Sequence, residues 1–282
     1  MDMSTRIPLS PERVNFYRTY GYVAPVRVLS DDEATLYRSH LEAFEAAHGG
    51  PIPGKYRHKP HLLFPWLADL VRHPRILDAV ESLLGPDLLV WSSVFFIKEP
   101  HDPAYVSWHQ DSTYWGLSEP DVVTAWVALS PSHHDNGCLR VIPGTHVLDQ
   151  VEHVENLEMR DENNLLTRGQ EIAVKVDEAA AVELPLQPGD MSLHHIRLFH
   201  NSQPNQSAER RIGFAIRYIP TRVHQKSTYR GTATLVRGVD RYGHFDPEPR
   251  PVAELAPESL QFHTEMMNKR RSSLLFSDAK TS

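Results

Sequence analysis

Six histidines in this 282-residue chain stand two positions before a carboxylate: His40/Glu42, His109/Asp111, His133/Asp135, His153/Glu155, His244/Asp246 and His263/Glu265. The spacing has chemical meaning on a β-strand. Side chains alternate with period two, so both members of such a pair reach the same face. Two histidines and one carboxylate on one face of a metal suit Fe(II), and they leave three coordination positions for a cosubstrate and O2. With 17 histidines in the chain, most such pairs are simply solvated, so context has to separate them. His40, His153 and His263 lie in helical or acidic, surface-like stretches. His133/Asp135 sits in a turn beside Asn136-Gly137, where Asp and Asn are expected for turn reasons alone. His244/Asp246 runs into Pro247 and Pro249. His109/Asp111 alone is embedded in aromatic residues, Trp108, Tyr114 and Trp115, and follows the first core strand. A carboxylate walled by aromatics fits a water-poor oxidation site.

The third ligand has to arrive from another strand. The stretch Gly189 to Ser202 offers His194, His195 and His200, and composition leaves the choice open. His194 and His195 are adjacent and point to opposite faces of a strand, so one of them suits a core position.

The elements that must carry these residues can be read from capping and periodicity. Ser10-Pro11-Glu12 starts a helix, Ser30-Asp31-Asp32-Glu33 starts a second, and Gly49-Gly50 ends it. Leu67 to Leu84 has apolar residues at helical spacing and stops at Gly85-Pro86. From Leu88 the period changes. Leu88 to Ile97, Asp121 to Leu129, Cys138 to Ile142, Val182 to Leu186, Met191 to Ile196 and Arg211 to Ile219 read as strands. Short strands separated by Pro/Gly turns predict a mainly β, jelly-roll or cupin-like core with flanking helices. The expected division of this single domain is a helical part over about 10–85, a β core over about 88–220 and an extension over about 221–282. Pro257 to Arg270 is expected to be helical. Asp149 to Glu171, acidic and poorly periodic, is too long for a hairpin and is expected to be a lid or a surface loop.

Composition narrows the function classes. A formal net charge of −7 without a Lys/Arg-rich run argues against nucleic acid as a partner. No 18-residue apolar run predicts a membrane span, and Met1 to Pro11 lacks a leader's apolar segment. The single cysteine, Cys138, excludes an intrachain disulfide and suits a reducing cytoplasm. Cys138 lies in a short core strand, so burial is expected rather than nucleophilic chemistry. The chain has no G-x-S-x-G, P-loop or G-x-G-x-x-G pattern.

Several motifs together carry a resemblance. Trp108-His109-Gln110-Asp111, Ala125-Trp126, Asn136-Gly137-Cys138-Leu139 and Pro143-Gly144-Thr145-His146 come first. Gly189-Asp190, His194-His195, His200-Asn201-Ser202, Asn205 and Arg210-Arg211 follow in the same order. The stretch resembles the phytanoyl-CoA dioxygenase family over about 100 residues, within a similar core from Phe16 to Tyr218. The resemblance implies a double-stranded β-helix that uses Fe(II), 2-oxoglutarate and O2, and hydroxylates a small molecule with release of succinate and CO2. It selects His200 as the third ligand beside His109 and Asp111. Related halogenases replace the acid with a small residue, so Asp111 points to hydroxylation or another oxidation without halide.

The same match assigns the cosubstrate side. The distal carboxylate of 2-oxoglutarate needs a cation, preferably a bidentate arginine, and Arg211 is the matched position, with Ser202 as helper. Trp126 matches a position that packs near the cosubstrate, or is a core tryptophan. Lys98 ends the strand before the metal pair and reaches an acid there, or is solvated. On the substrate side, Gln110, Thr113, Tyr114 and Trp115 surround the metal pair, and Lys59 and His61 are expected to close over the pocket. Arg217 shares the strand face of Arg211, six residues on, and suits an anionic substrate group. The alternatives are a cupin-like zinc or manganese isomerase or hydrolase, since the same ligands serve zinc, and a non-catalytic ligand-binding protein.

Overall fold

Helix boundaries follow the capping signals. The structure, a computed structural model, describes residues 6–154, 163–166, 171–227 and 229–278. Helix α1 (Pro11–Tyr20) begins where the Ser10 hydroxyl accepts from the Arg13 amide, with Pro11 in the first turn. Strand β1 (Tyr22–Arg27) follows. Helix α2 (Asp31–His48) opens with a complete Ser30/Glu33 capping box and closes on Gly49 in the left-handed region. The apolar run expected as one helix over Leu67–Leu84 is two: α3 (Pro65–Leu70) and α4 (Pro74–Leu84). Pro74 is the reason, since its ring cannot continue α3 and is well placed in the first turn of α4.

The remaining elements are β2 (Leu88–Lys98), β3 (Val106–His109), β4 (Val123–Ala128), β5 (Leu139–Val141), β6 (His153–Val154), β7 (Glu171–Ile172), β8 (Val182–Leu184), β9 (Asp190–His195), β10 (His200–Ser202), β11 (Arg211–Pro220), β12 (Thr232–Arg237), β13 (Asp246–Pro247) and α5 (Pro257–Asp278). They form a seven-stranded sheet in the order β1-β9-β4-β11-β2-β12-β13 and a four-stranded sheet in the order β3-β10-β5-β8, with β6-β7 as a separate ribbon. Apart from the parallel β12–β13 contact, the pairings are antiparallel. This is the expected jelly roll.

Strand β11 sets the organisation. Ile212, Phe214, Ile216 and Tyr218 join the main apolar core together with Leu41, Phe44, Leu67 and Ile76 of the helices. The alternate residues Arg211, Ala215 and Arg217 line a cavity instead. One face of the large sheet is therefore covered by helices and the other faces the small sheet across that cavity. Strand β4 repeats the alternation: Val123, Ala125 and Val127 enter the core, while Thr124 and Trp126 line the cavity. Among the described residues no helix is long and apolar enough to cross a membrane.

Candidate metal centre and its cavity

The two candidate histidine ligands are a cross-strand pair. His200 of β10 lies directly opposite His109 of β3, with ring centroids 4.0 Å apart. Each ring is oriented from behind. His109 Nδ1 is 2.9 Å from the Ser107 carbonyl oxygen, and His200 Nδ1 is 2.8 Å from that of Leu198. A carbonyl only accepts, so both Nδ1 atoms carry the proton and both Nε2 lone pairs are free for a metal.

Asp111 does not sit on the strand with His109, as the His-x-Asp reading expects. Strand β3 ends at His109, and Asp111 opens a short 3-10 turn, Asp111–Tyr114. Its backbone amide donates to the Ile196 carbonyl at 3.0 Å, which pins the turn against the end of β9. The carboxylate then comes to 3.6 Å from His109 Nε2 and accepts from the Thr124 hydroxyl at 3.4 Å. One ligand atom from each of His109, Asp111 and His200 lies within 4.8 Å of the others, and all three residues are buried. Burial alone would raise the Asp111 carboxyl. The His109 imidazole beside it and the charge of Arg217 outweigh burial and hold the group below the usual carboxylate range. Burial is the main cause that pulls His200 well below an ordinary imidazole. The donor set is thus one carboxylate and two imidazoles whose Nδ1 atoms are turned to backbone carbonyls, which fits a divalent metal.

His194 and His195 do point apart. His194 lines the cavity, its ring centroid 4.8 Å from that of His200, and burial pushes it down to about 4. It stays outside the three-ligand cluster. His195 packs against His146 instead, ring centroids 5.4 Å apart.

The end of the cavity expected to take the cosubstrate is built from β2, β10 and β11. Arg211 and Lys98 are directly opposite each other on adjacent strands, both buried. Two like charges in that position repel, and the pair is stabilised by acceptors. Ser202 Oγ receives Arg211 Nη1 at 3.0 Å and Lys98 Nζ at 2.7 Å. The carbonyls of Gly137 and Gln203 accept from Arg211 and Lys98 respectively. Lys98 is therefore not solvated. Burial and the Arg211 charge bring its ammonium down to about 6, and its partners are Ser202 and Gln203, not Asp111. Arg211 Nε is buried with no partner, and the guanidinium carbon lies 5.5 Å from the centre of the Trp126 ring. A buried, incompletely paired guanidinium and its lysine neighbour form a site for a carboxylate.

Gly137 and Gly213 make this end possible. A Cβ on Gly137, whose φ is +70°, would sit 2.0 Å from the Gln203 carbonyl oxygen. A Cβ on Gly213 would sit 1.8 Å from Trp126 Cζ2.

The opposite end holds Arg217. It lines the same open-mouthed cavity of about 600 Å3, its guanidinium flanked by Phe96 at 5.6 Å and Trp115 at 5.4 Å. The wall also includes Phe96, Thr124, Leu166 and Asn201, which sequence reasoning missed. The period of two was a usable signal for Phe96 and Thr124, which lie two residues from Lys98 and Trp126.

Three expected substrate contacts fall elsewhere. Gln110 turns away from the cavity: its Nε2 donates to the Arg197 carbonyl at 2.9 Å, and its Oε1 accepts from Val151 N and Gln150 Nε2, each at 2.9 Å. Lys59 and His61 do not close over the pocket. Lys59 Nζ pairs with Glu248 and donates to the Thr232 carbonyl at 2.8 Å. His61 lies 3.3 Å from Glu248 and 2.6 Å from Ser93 Oγ. They anchor the chain after β13 to the large sheet. His263, expected near the surface, is buried with Nε2 2.8 Å from the His58 carbonyl. The side chains of Thr113 and Tyr114 lie outside the described residues, as do residues 155–162 and 167–170 of the expected lid. Cys138 is buried as expected, its thiol pushed up to about 11 mainly by burial.

Two histidines and an aspartate thus meet beside a buried arginine inside a jelly roll. The chain belongs to the phytanoyl-CoA dioxygenase family, whose model matches residues 17–213. It is 31% identical over 161 residues to a probable alpha-ketoglutarate-dependent hypophosphite dioxygenase of Stutzerimonas stutzeri, covering 55% of each chain. It is 26% identical over 237 residues to the L-proline trans-4-hydroxylase of Streptomyces griseoviridis, covering 77% of this chain and 88% of that one. A solved structure described as the non-heme monooxygenase ThoJ in apo form superposes with a TM-score of 0.83 at 36% identity, covering 95% of this chain and 99% of that one. The aligned region spans about half the length of the first of these relatives.

Proposed function

We propose that this protein hydroxylates a small organic molecule, with Fe(II) held by His109, Asp111 and His200 and with 2-oxoglutarate held at its distal carboxylate by Arg211, Ser202 and Lys98. The observation that carries the reading is the convergence, in one cavity, of the three ligands with Arg211 and Ser202, behind which Lys98 donates to Ser202. When bound, the metal would support oxidative decarboxylation of 2-oxoglutarate by O2 to succinate and CO2, one oxygen atom of O2 entering succinate and the other the substrate hydroxyl.

The protein's own contribution is positional. Ser107 and Leu198 fix the two imidazole rings through Nδ1. Thr124 and the Ile196 carbonyl hold Asp111 in place. Trp126, with no Cβ opposing it at Gly213, walls the cosubstrate end and excludes water. Asp111 supports hydroxylation over halogenation, because a carboxylate that takes a coordination position leaves none there for halide. A zinc hydrolase or isomerase would have no use for the Arg211 cluster, so that reading is not favoured.

The experiment is turnover under 18O2 with a small-molecule panel and added chloride. Equimolar succinate and product carrying one 18O, with no chlorinated product, supports the reading. Chlorinated product, or turnover without succinate, refutes it.

A further inference from the structure

Arg217 stands out among the buried charges. It is 7% exposed, its Nε has no partner, and among the described residues no acceptor lies within hydrogen-bonding or ion-pairing distance of its guanidinium. Among the described residues the guanidinium donors thus meet no acceptor, and the buried Nε–H is costly to leave so unless a ligand in the cavity engages the group. Phe96 and Trp115 flank the group. They fix where it sits and leave the cavity as the direction in which its donors find an acceptor.

The strand geometry separates Arg217 from the cosubstrate clamp. Six residues along β11 place its Cα about 20 Å from that of Arg211. Arg211 lies with Ser202, Gly137 and Trp126. Arg217 lies at the metal end, where Asp111 is the opposite charge that acts on it. That carboxylate is committed to the metal.

Charge leads to the same place, given the reading above, on which this inference rests. Fe(II) brings two positive charges, Asp111 one negative charge and 2-oxoglutarate two. Arg211 and Arg217 each add one positive charge. The loaded cavity therefore keeps at least one uncompensated positive charge, and two when Lys98 is protonated. A neutral substrate would leave that charge buried.

We infer that Arg217 is the substrate-recognition residue and that the substrate is a small, mainly apolar molecule bearing a carboxylate, which pairs with the Arg217 fork between Phe96 and Trp115. The remaining wall, including Val106, Leu139, Leu166 and Ala215, receives its apolar part. A planar fork favours a planar carboxylate over a tetrahedral oxyanion.

The test uses the full-length protein loaded anaerobically with Fe(II) and 2-oxoglutarate. It is titrated with acetate, phenylacetate and cyclohexanecarboxylate, with the amide of each, and with phenylphosphonate. Binding is read by calorimetry and by perturbation of the visible iron–2-oxoglutarate charge-transfer band. In the wild type at least one carboxylate should bind roughly 10- to 100-fold tighter than its amide. Arg217→Gln should abolish that preference while its affinity for 2-oxoglutarate, read from the same band, stays within about twofold. Arg217→Lys keeps the charge without the fork, should retain part of the preference, and guards against misfolding of the glutamine variant. No carboxylate preference across the panel overturns the inference, and so does tighter binding of the phosphonate. Loss of 2-oxoglutarate affinity in both variants assigns Arg217 to the cosubstrate and also overturns it. Failure of the band to form in the wild type would instead count against the iron and 2-oxoglutarate reading itself.

Discussion

Replacing Gly213 with alanine adds a single methyl group on the cavity face of β11, where the neighbouring strand β4 carries Trp126. The new Cβ would stand 1.8, 2.3 and 2.6 Å from Trp126 Cζ2, Cε2 and Cη2. Ordinary contact begins at 3.4 Å, so the indole must retreat by roughly 1.6 Å or the strands must part. Alanine is at ease in a strand, which makes the penalty steric rather than conformational. Overpacking of this kind costs about 1–3 kcal/mol. The indole's escape is toward Arg211, whose guanidinium carbon is 5.5 Å from its centre, so 2-oxoglutarate affinity should fall about tenfold or more while the metal ligands stay in place. Urea denaturation gives the first quantity and titration of the charge-transfer band the second. Adding Trp126→Leu removes the clashing ring and should recover a part of the stability, giving a non-zero coupling in a double-mutant cycle. Full stability and unchanged cosubstrate affinity in Gly213→Ala would refute the packing account of this wall.

Three further outcomes follow from the buried charges. Lys59→Met removes the cation beside the buried Glu248 carboxylate, leaving it His61, Thr232 and Thr234, and should destabilise the protein by about 3 kcal/mol; the 2-oxoglutarate affinity of the remaining folded molecules should be unchanged, because neither residue lines the cavity. Urea titration checks the first part, and a loss below about 1 kcal/mol contradicts it. Burial lowers His195 from 6.5 to about 4 and also lowers His61 and His263. A lowered folded pKa means that the unfolded chain takes up protons first, so stability is complete above pH 6.5 and is lost as pH falls toward 4. His195 alone contributes about 2.5 kcal/mol of that loss by pH 4.5, and unfolding free energies measured from pH 7 to 4.5 should show it, whereas a flat profile would not fit. Arg211→Lys keeps a charge but loses the fork that engages Ser202 and Gly137, and should weaken 2-oxoglutarate binding roughly 10- to 100-fold with metal affinity retained, as equilibrium titrations of each would show.

The legible parts of the chain were those governed by local rules. The Ser30 capping box, the Gly49 stop and the alternation along β11 each follow from a few adjacent residues, and the structure keeps all three. Strand β1 was not legible, because Pro25 interrupts it and its register against β9 shifts between Val23 and Val26. Strand β3 has only four residues and β10 three, too few for a period to appear, yet they carry both histidine ligands. The Asp111 turn was hidden for a similar reason: its position depends on the Ile196 carbonyl, 85 residues away in sequence. Lys59 and His61 were misread because their partner Glu248 lies in a proline-rich stretch with no periodic signal. The buried Lys98 was ambiguous by type alone, and only its register opposite Arg211 reveals the pair.

The central claim is that His109, Asp111 and His200 hold iron with 2-oxoglutarate in reach of Arg211. Anaerobic addition of Fe(II) and then 2-oxoglutarate to the metal-free protein tests it most directly. The account predicts a visible charge-transfer band that saturates at one iron and one 2-oxoglutarate per chain, and that is absent in His109→Ala and His200→Ala. Iron bound without any such band in the wild type, or a band undiminished in both variants, would contradict it.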